Sequence, residues 1–219
     1  MLQINNLIFS YTGKKPYILN NLNLHINEGE YVSILGENGS AKSTLIKLIL
    51  SLLKPISGSI KINTDKIGYV AQRVENFNTQ FPITVYEMLK IHLKSLKIKD
   101  MKCIDKALDD IGMLNYKYSL MGDMSGGQIQ KIFIARALLG NPKLLILDEP
   151  STGIDIASQD EIYSYIKHLN VHFGITVISV EHNLNAALNN STKICVIKNG
   201  KANVYTVDEY SRFLEVANV

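Results

Sequence analysis

With 219 residues and a formal net charge of +3, the chain is long enough for one domain with a sizeable core. It is too nearly neutral to argue for a nucleic-acid partner. Cys103 and Cys195 stand far apart and in no metal-ligand spacing. No apolar run is long enough to cross a bilayer and the N-terminus carries no signal-peptide pattern. The chain is therefore expected in the cytoplasm, where a partner can still hold it at a membrane.

In chain order, Leu2-Gln3-Ile4-Asn5 and Leu22-Asn23-Leu24-His25-Ile26 alternate apolar and polar residues and read as half-buried strands. Tyr11 lies in the loop between them. It is a candidate for stacking on a flat base, although a plain strand-end aromatic is the simpler reading of the residue alone. After the turn Glu28-Gly29-Glu30, the apolar run Tyr31 to Leu35 predicts a buried strand. Gly36-Glu37-Asn38-Gly39-Ser40-Ala41-Lys42-Ser43-Thr44 follows it, and Leu45 to Leu50 then reads as a largely buried helix.

Strand, glycine-bearing turn and helix start together form a phosphate cradle, with inward backbone N–H groups and the positive end of a helix. In the pattern G-x-x-x-x-G-K-[ST], Lys42 reaches the β- and γ-phosphates and the Ser43 hydroxyl ligates Mg²⁺. One position departs from the pattern, because Ala41 replaces the glycine before the lysine. A methyl costs little there if the residue is helix-like and much if φ is positive. The otherwise intact context favours helix-like dihedrals.

The helix is expected to end near Leu53-Lys54-Pro55, with a turn at Ser57-Gly58-Ser59 and strands at Ile60–Ile62 and Ile67–Ala71. Gln72, at that strand's end, is a candidate contact for the metal or the attacking water, against a plain surface-polar reading. From about Phe81 the texture changes. Thr84–Ser95 and Met101–Ile111 read as helices, with Ile104, Leu108 and Ile111 on one face. Lys90, Lys94, Lys97, Lys99 and Lys102 give this stretch a solvated basic face, or more weakly a membrane-facing one. A helical subdomain spanning about residues 76–140 is expected, inserted in a single α/β domain over 1–219.

Met124-Ser125-Gly126-Gly127-Gln128 opens a helix running to Leu139, a second possible anion site. One ATP rarely needs two such sites from one chain, so the second suits a neighbouring copy. The apolar run Leu144–Leu147 ends in Asp148-Glu149-Pro150 and predicts a buried parallel strand with charge at its C-terminal edge, where open α/β sheets place ligands. Asp148 fits a water-mediated Mg²⁺ contact and Glu149 the orientation of an attacking water. The cap of the next helix, Ser158–Asn170, falls to Ser151 or Ser158. Ile175–Val180 is a further buried strand leading to His182, a candidate γ-phosphate contact. Lys193–Ile197 and Lys201–Val204 form a hairpin around Asn199-Gly200, and a short helix follows Val207. His168 and His172 are spaced i, i+4, but no third ligand is near them, and an exposed pair is the better reading.

The ordered set of phosphate loop, Gln72, Ser125-Gly126-Gly127-Gln128, the strand ending Asp148-Glu149-Pro150, Asp155 and His182 strongly resembles the ATP-binding subunits of ABC transporters over nearly the whole chain. The resemblance implies an α/β fold: a P-loop NTPase core with an N-terminal antiparallel β subdomain and a helical insert. It implies that Tyr11 stacks on adenine, that Ser43 and Gln72 contact Mg²⁺, that Glu149 is the catalytic base and that His182 is the switch histidine. It also implies that Ser125–Gln128 contact the γ-phosphate of ATP bound to a second copy, and that Ser151–Asp155 cross the dimer interface. The helical insert and the segment after Gln72 then dock on membrane-spanning permease subunits at the cytoplasmic face.

Ala41, the run Gln80-Phe81-Pro82-Ile83-Thr84-Val85, Ser151–Asp155 and Val180–Leu184 look most like the zinc and manganese importers, which also use an external metal-binding protein. Three alternatives stay open here: an ABC ATPase for another small solute, a soluble non-transport ABC ATPase, and a non-hydrolysing subunit suggested by Ala41.

Overall fold

The computed structural model describes residues 1–72 and 81–217. Gln80, and the part of the proposed docking segment directly after Gln72, lie outside the described residues.

The chain opens with β1 (Leu2–Phe9) and β2 (Leu19–Ile26). With β4 (Ser57–Ile62) they form a three-stranded antiparallel sheet in the order β2-β1-β4. The second sheet has six strands in the order β5-β6-β7-β3-β8-β9. These are β3 (Tyr31–Leu35), β5 (Ile67–Val70), β6 (Leu144–Asp148), β7 (Thr176–Val180), β8 (Lys193–Lys198) and β9 (Lys201–Thr206). Neighbours from β5 to β8 pair in parallel, and only β9 is antiparallel. Strands β3, β6 and β7 are buried along their whole length, as the mainly apolar strands of a parallel sheet covered on both faces should be.

Helix α1 (Lys42–Ile49) buries Leu45, Ile46, Leu48 and Ile49 in the main core, which joins the two sheets. A separate core of Val85, Leu89, Leu93, Ile104, Leu108 and Ile132 holds the helical region together: α2 (Val85–Ser95), α3 (Lys102–Asp109) and α4 (Gly126–Leu138). Helices α5 (Ile156–Phe173), α6 (Leu184–Asn190) and α7 (Val207–Ala217) complete the order.

Several boundaries differ from expectation, each for a local reason. Helix α1 stops at Ile49 because Ser51 turns left-handed, with φ of 58°. Ser57-Gly58-Ser59 is strand rather than turn. β1 bulges at Asn6, and a Cβ on Gly58 would lie 2.5 Å from the Asn6 carbonyl oxygen, so glycine lets the strand pass the bulge. α5 starts at Ile156, and its cap is Asp155, not Ser151 or Ser158. The Ser158 N–H donates to Asp155 Oδ1 at 2.9 Å. α6, which no periodicity announced, is capped by Asn183, whose Oδ1 accepts from the Ala186 N–H.

Because β5, β6, β7 and β3 are adjacent and parallel, their C-terminal ends share one edge of the sheet. Gln72, Asp148 with Glu149, His182 and Gly36 are the residues that leave those four ends.

Candidate active site

The cradle begins where β3 ends. Gly36 has φ of 157°, and a Cβ there would lie 2.5 Å from Ser40 Oγ and 2.7 Å from the Ile197 carbonyl oxygen. No other residue fits without moving backbone. Ala41 is not helix-like: its φ is 76°, left-handed, at the N-cap of α1. The expectation of helix-like dihedrals is therefore corrected. The loop reverses direction into α1 at this residue, and an intact strand-loop-helix frame imposes that reversal whether or not glycine occupies the position. An L-residue there costs about 1–2 kcal/mol, and the Ala41 methyl is buried against the main core.

Residues 38–44, with Tyr11, Ile18, Glu149 and His182, surround an open cavity of about 330 Å³. The N–H groups of Lys42, Ser43 and Thr44, in the first turn of α1, have no acceptor within the helix. Lys42 is buried, and its ammonium donates to the Gly36 and Glu37 carbonyls at 2.7 and 3.1 Å. Burial lowers its pKa, against the pull of Glu149 and Asp148. Tyr11 stands at the rim, 61% exposed, with its hydroxyl 3.0 Å from Thr44 Oγ1 and its ring edge-on to Phe9.

Opposite the cradle, Glu149 follows β6 with φ of 53°. Its N–H donates to the Val180 carbonyl at 3.1 Å. Gln72 Nε2 and Thr152 Oγ1 donate to its Oε2 at 2.8 and 3.2 Å, and His182 Nε2 lies 2.7 Å from its Oε1. Asp148 is buried and accepts from Ser43 Oγ at 3.4 Å. Burial, with the charge of Glu149, pushes the Asp148 carboxyl above the usual range, opposed by Ser43, Lys47 and Lys42. A buried carboxylate crowded by a second one, beside a serine hydroxyl, is a donor set that suits a hard divalent cation taking oxygen ligands.

Ser125, Gly126, Gly127 and Gln128 lie outside the cavity wall, as does Asp155. Ser125 caps α4 reciprocally: the Gln128 N–H donates to Ser125 Oγ at 3.3 Å, and the Ser125 N–H to Gln128 Oε1 at 2.9 Å. This group packs against the start of α5. A Cβ on Gly127 would lie 2.6 Å from Ser158 Oγ and 3.7 Å from Asp155 Oδ2. The predicted residues thus fall into two clusters on one chain. One is the cradle with its acids, and the other joins the α4 and α5 starts.

A family model described as ABC transporter matches residues 19–152. This chain belongs to the ABC transporter family. A Treponema pallidum (strain Nichols) relative named "Probable metal transport system ATP-binding protein" is 44% identical, over 97% of this chain and 90% of that one. The high-affinity zinc uptake system ATP-binding protein ZnuC of Bacillus subtilis (strain 168) is 37% identical, over 92% of each chain. Among solved structures, the dimeric post-hydrolysis ATP-binding cassette MJ0796, bound to ADP and Pi, superposes with a TM-score of 0.80. It is 30% identical, covering 94% of this chain and 99% of that one. The fold expectation holds: this is an ABC ATPase cassette with both its antiparallel and its parallel sheet.

Three features of this ABC cassette were not read from its sequence. Thr152 adds a third donor to Glu149. Tyr11 meets Thr44, a contact spanning 33 positions. Glu181, next to His182, is a buried acid whose partners come from α5 and β7. The one signal for it was an acid directly after the run Ile175–Val180, which reads as a buried strand.

Two outcomes test this geometry. With φ positive at position 41, Ala41→Gly should be neutral or stabilising by up to about 1 kcal/mol, whereas a helix-like residue would lose about 1 kcal/mol. Urea unfolding distinguishes the two. Burial raises the Glu181 carboxyl from 4.5 to about 7, against hydrogen bonds from Ser179 and Tyr163. The native state therefore keeps a proton that the unfolded chain has lost between those values. The resulting stabilisation is full below pH 4.5 and disappears as pH rises through 7. Glu181→Gln should remove this dependence. Its stability relative to wild type should rise by on the order of 3 kcal/mol between about pH 5 and pH 8, read by urea titration at each pH.

Proposed function

We propose that this chain is the ATP-hydrolysing subunit of a divalent-metal importer, with zinc or manganese as cargo. The observation that carries the hydrolytic part is the Glu149 carboxylate, fixed between Gln72, Thr152 and His182 at the wall of a phosphate cradle. The names of the Treponema and Bacillus relatives support the cargo.

In this reading the cradle from Gly36 to Thr44 and the Lys42 ammonium hold the triphosphate, and Tyr11 covers the base. Ser43, Gln72 and, through water, Asp148 would hold Mg²⁺, which when bound neutralises phosphate charge. Phosphoryl transfer to water asks a protein mainly for position and field. Glu149 accepts the proton of the attacking water, and His182 holds the carboxylate on line. Ser125–Gln128 and Asp155 serve the ATP of a second copy, so the working unit is a head-to-tail pair with two ATP molecules between its halves. Closure on ATP and opening after hydrolysis drive permease subunits. An external protein presents the metal to that permease. The chain sits at the cytoplasmic face through those partners. Among its described residues no helix is long and apolar enough to cross a membrane.

Glu149→Gln should lower Mg-ATP turnover by at least about 100-fold and accumulate an ATP-bound dimer, read by phosphate release and size-exclusion chromatography. A variant that stays monomeric at saturating ATP and turns over normally removes Glu149 from this role. For the cargo, cells lacking the chain should lose zinc or manganese uptake, restored by wild type and not by Glu149→Gln. Unchanged uptake of both metals assigns the subunit to another solute.

A further inference from the structure

Behind the Glu149–His182 contact lies a second chain of hydrogen bonds that the hydrolytic reading does not use. Tyr163, on α5, is 5% exposed and Glu181 2%. Tyr163 Oη lies 2.7 Å from Glu181 Oε2 and 2.9 Å from Ser151 Oγ. Ser179 Oγ donates to the other Glu181 oxygen. One turn earlier on the same face of α5, Gln159 Nε2 donates to the Ser151 and Ile154 carbonyls at 3.2 and 3.0 Å.

These bonds close a ring. From Glu149 the backbone runs two residues to Ser151, whose hydroxyl meets Tyr163. Tyr163 meets Glu181, the next residue is His182, and His182 returns to Glu149 at 2.7 Å. A phenol has one proton, so it donates to one neighbour and accepts from the other. When the acid is ionised it accepts the phenol O–H hydrogen bond, and the Ser151 hydroxyl donates to the phenol oxygen. When the acid is protonated the chain can run in the other direction. Either way the ring remains closed.

We infer that Tyr163 and Glu181 are positioning residues that lock the Glu149–His182 pair to the loop Ser151–Asp155, so that this loop and the hydrolytic pair move as one unit. The inference rests on reading Glu149 and His182 as the hydrolytic pair. Burial alone would require only that each polar group find some partner. Here the partners join the two strand ends that carry the reacting groups, through the one helix that also grips the loop.

The test is steady-state ATP hydrolysis by the full chain, with thermal melts alongside. Tyr163→Phe keeps the aromatic side chain and removes the bridging oxygen. It should lower kcat roughly tenfold, with the KM for ATP within about twofold of wild type. Ser151→Ala, which opens the chain from its loop end without disturbing the core, should lower kcat in the same way. Glu181→Gln still offers one donor and one acceptor, so its kcat should stay within about twofold of wild type. Tyr163→Phe combined with Glu181→Leu should be no slower than the slower single variant, because both cut one chain. If Tyr163→Phe and Ser151→Ala both keep kcat within about twofold of wild type, whatever their melting points, the inference is overturned. It is likewise overturned if the losses multiply in the double variant. Failure of the underlying reading shows elsewhere, as full turnover by Glu149→Gln with Tyr163 intact.

Discussion

Glu149 occupies a conformation that an L-residue reaches at a cost of about 1–2 kcal/mol, and much of the site depends on it. In an extended strand, neighbouring side chains point to opposite faces. Asp148 and Glu149 nevertheless both address the space beyond the sheet edge, one at Ser43 and the other between Gln72 and His182. The left-handed residue directly after β6 reconciles these demands. Its N–H is tied to β7 through Val180, and its carboxylate is held by three donors from three separate segments. Those bonds hold the strained backbone, and the parallel order β5-β6-β7-β3 brings the donors within reach.

The second cluster follows a different constraint. The start of α4 is pressed against the start of α5 so closely that only glycine fits at position 127. Ser125 and Asp155, the caps of these two helices, are fixed by their own first turns. In the proposed reading, these two helix starts, side by side and outside the wall of their own chain's cradle, serve the triphosphate of a second copy. The dimeric ADP- and Pi-bound relative has the same fold over nearly all of this chain, which supports that reading.

Pattern made much of this legible. The fully buried strands were visible as mainly apolar runs, and the motifs fell at their ends because parallel sheets gather strand termini at one edge. Features set by tertiary demand were not legible. The dihedral at Ala41 is fixed by the path from β3 into α1, and alanine is a poor indicator of positive φ. Gly58 looked like a turn because its reason, the bulge at Asn6, lies on another strand. The cap of α5 was sought among serines, although Asp155 supplies the oxygen. Glu181 and Tyr163 are 18 positions apart, on elements whose facing could not be set before the fold was known.

A subunit that drives a membrane partner gains from hydrolysing ATP only when assembled, so chemistry has to depend on interface contact. Field effects spread through many groups would make that dependence gradual. Short bonds in a closed ring make it steep, because reacting groups displaced by about 1 Å can lose about 100-fold in rate. In this chain the loop after Glu149 is gripped by Gln159 and Tyr163 from one helix face, and the same tyrosine reaches the residue beside His182. A partner that moves this loop by a fraction of an ångström acts on both ends of the Glu149–His182 contact together. The strain at Glu149 contributes in the same direction: a residue held in place against its own backbone preference has an alternative to relax into once the bonds around it are loosened.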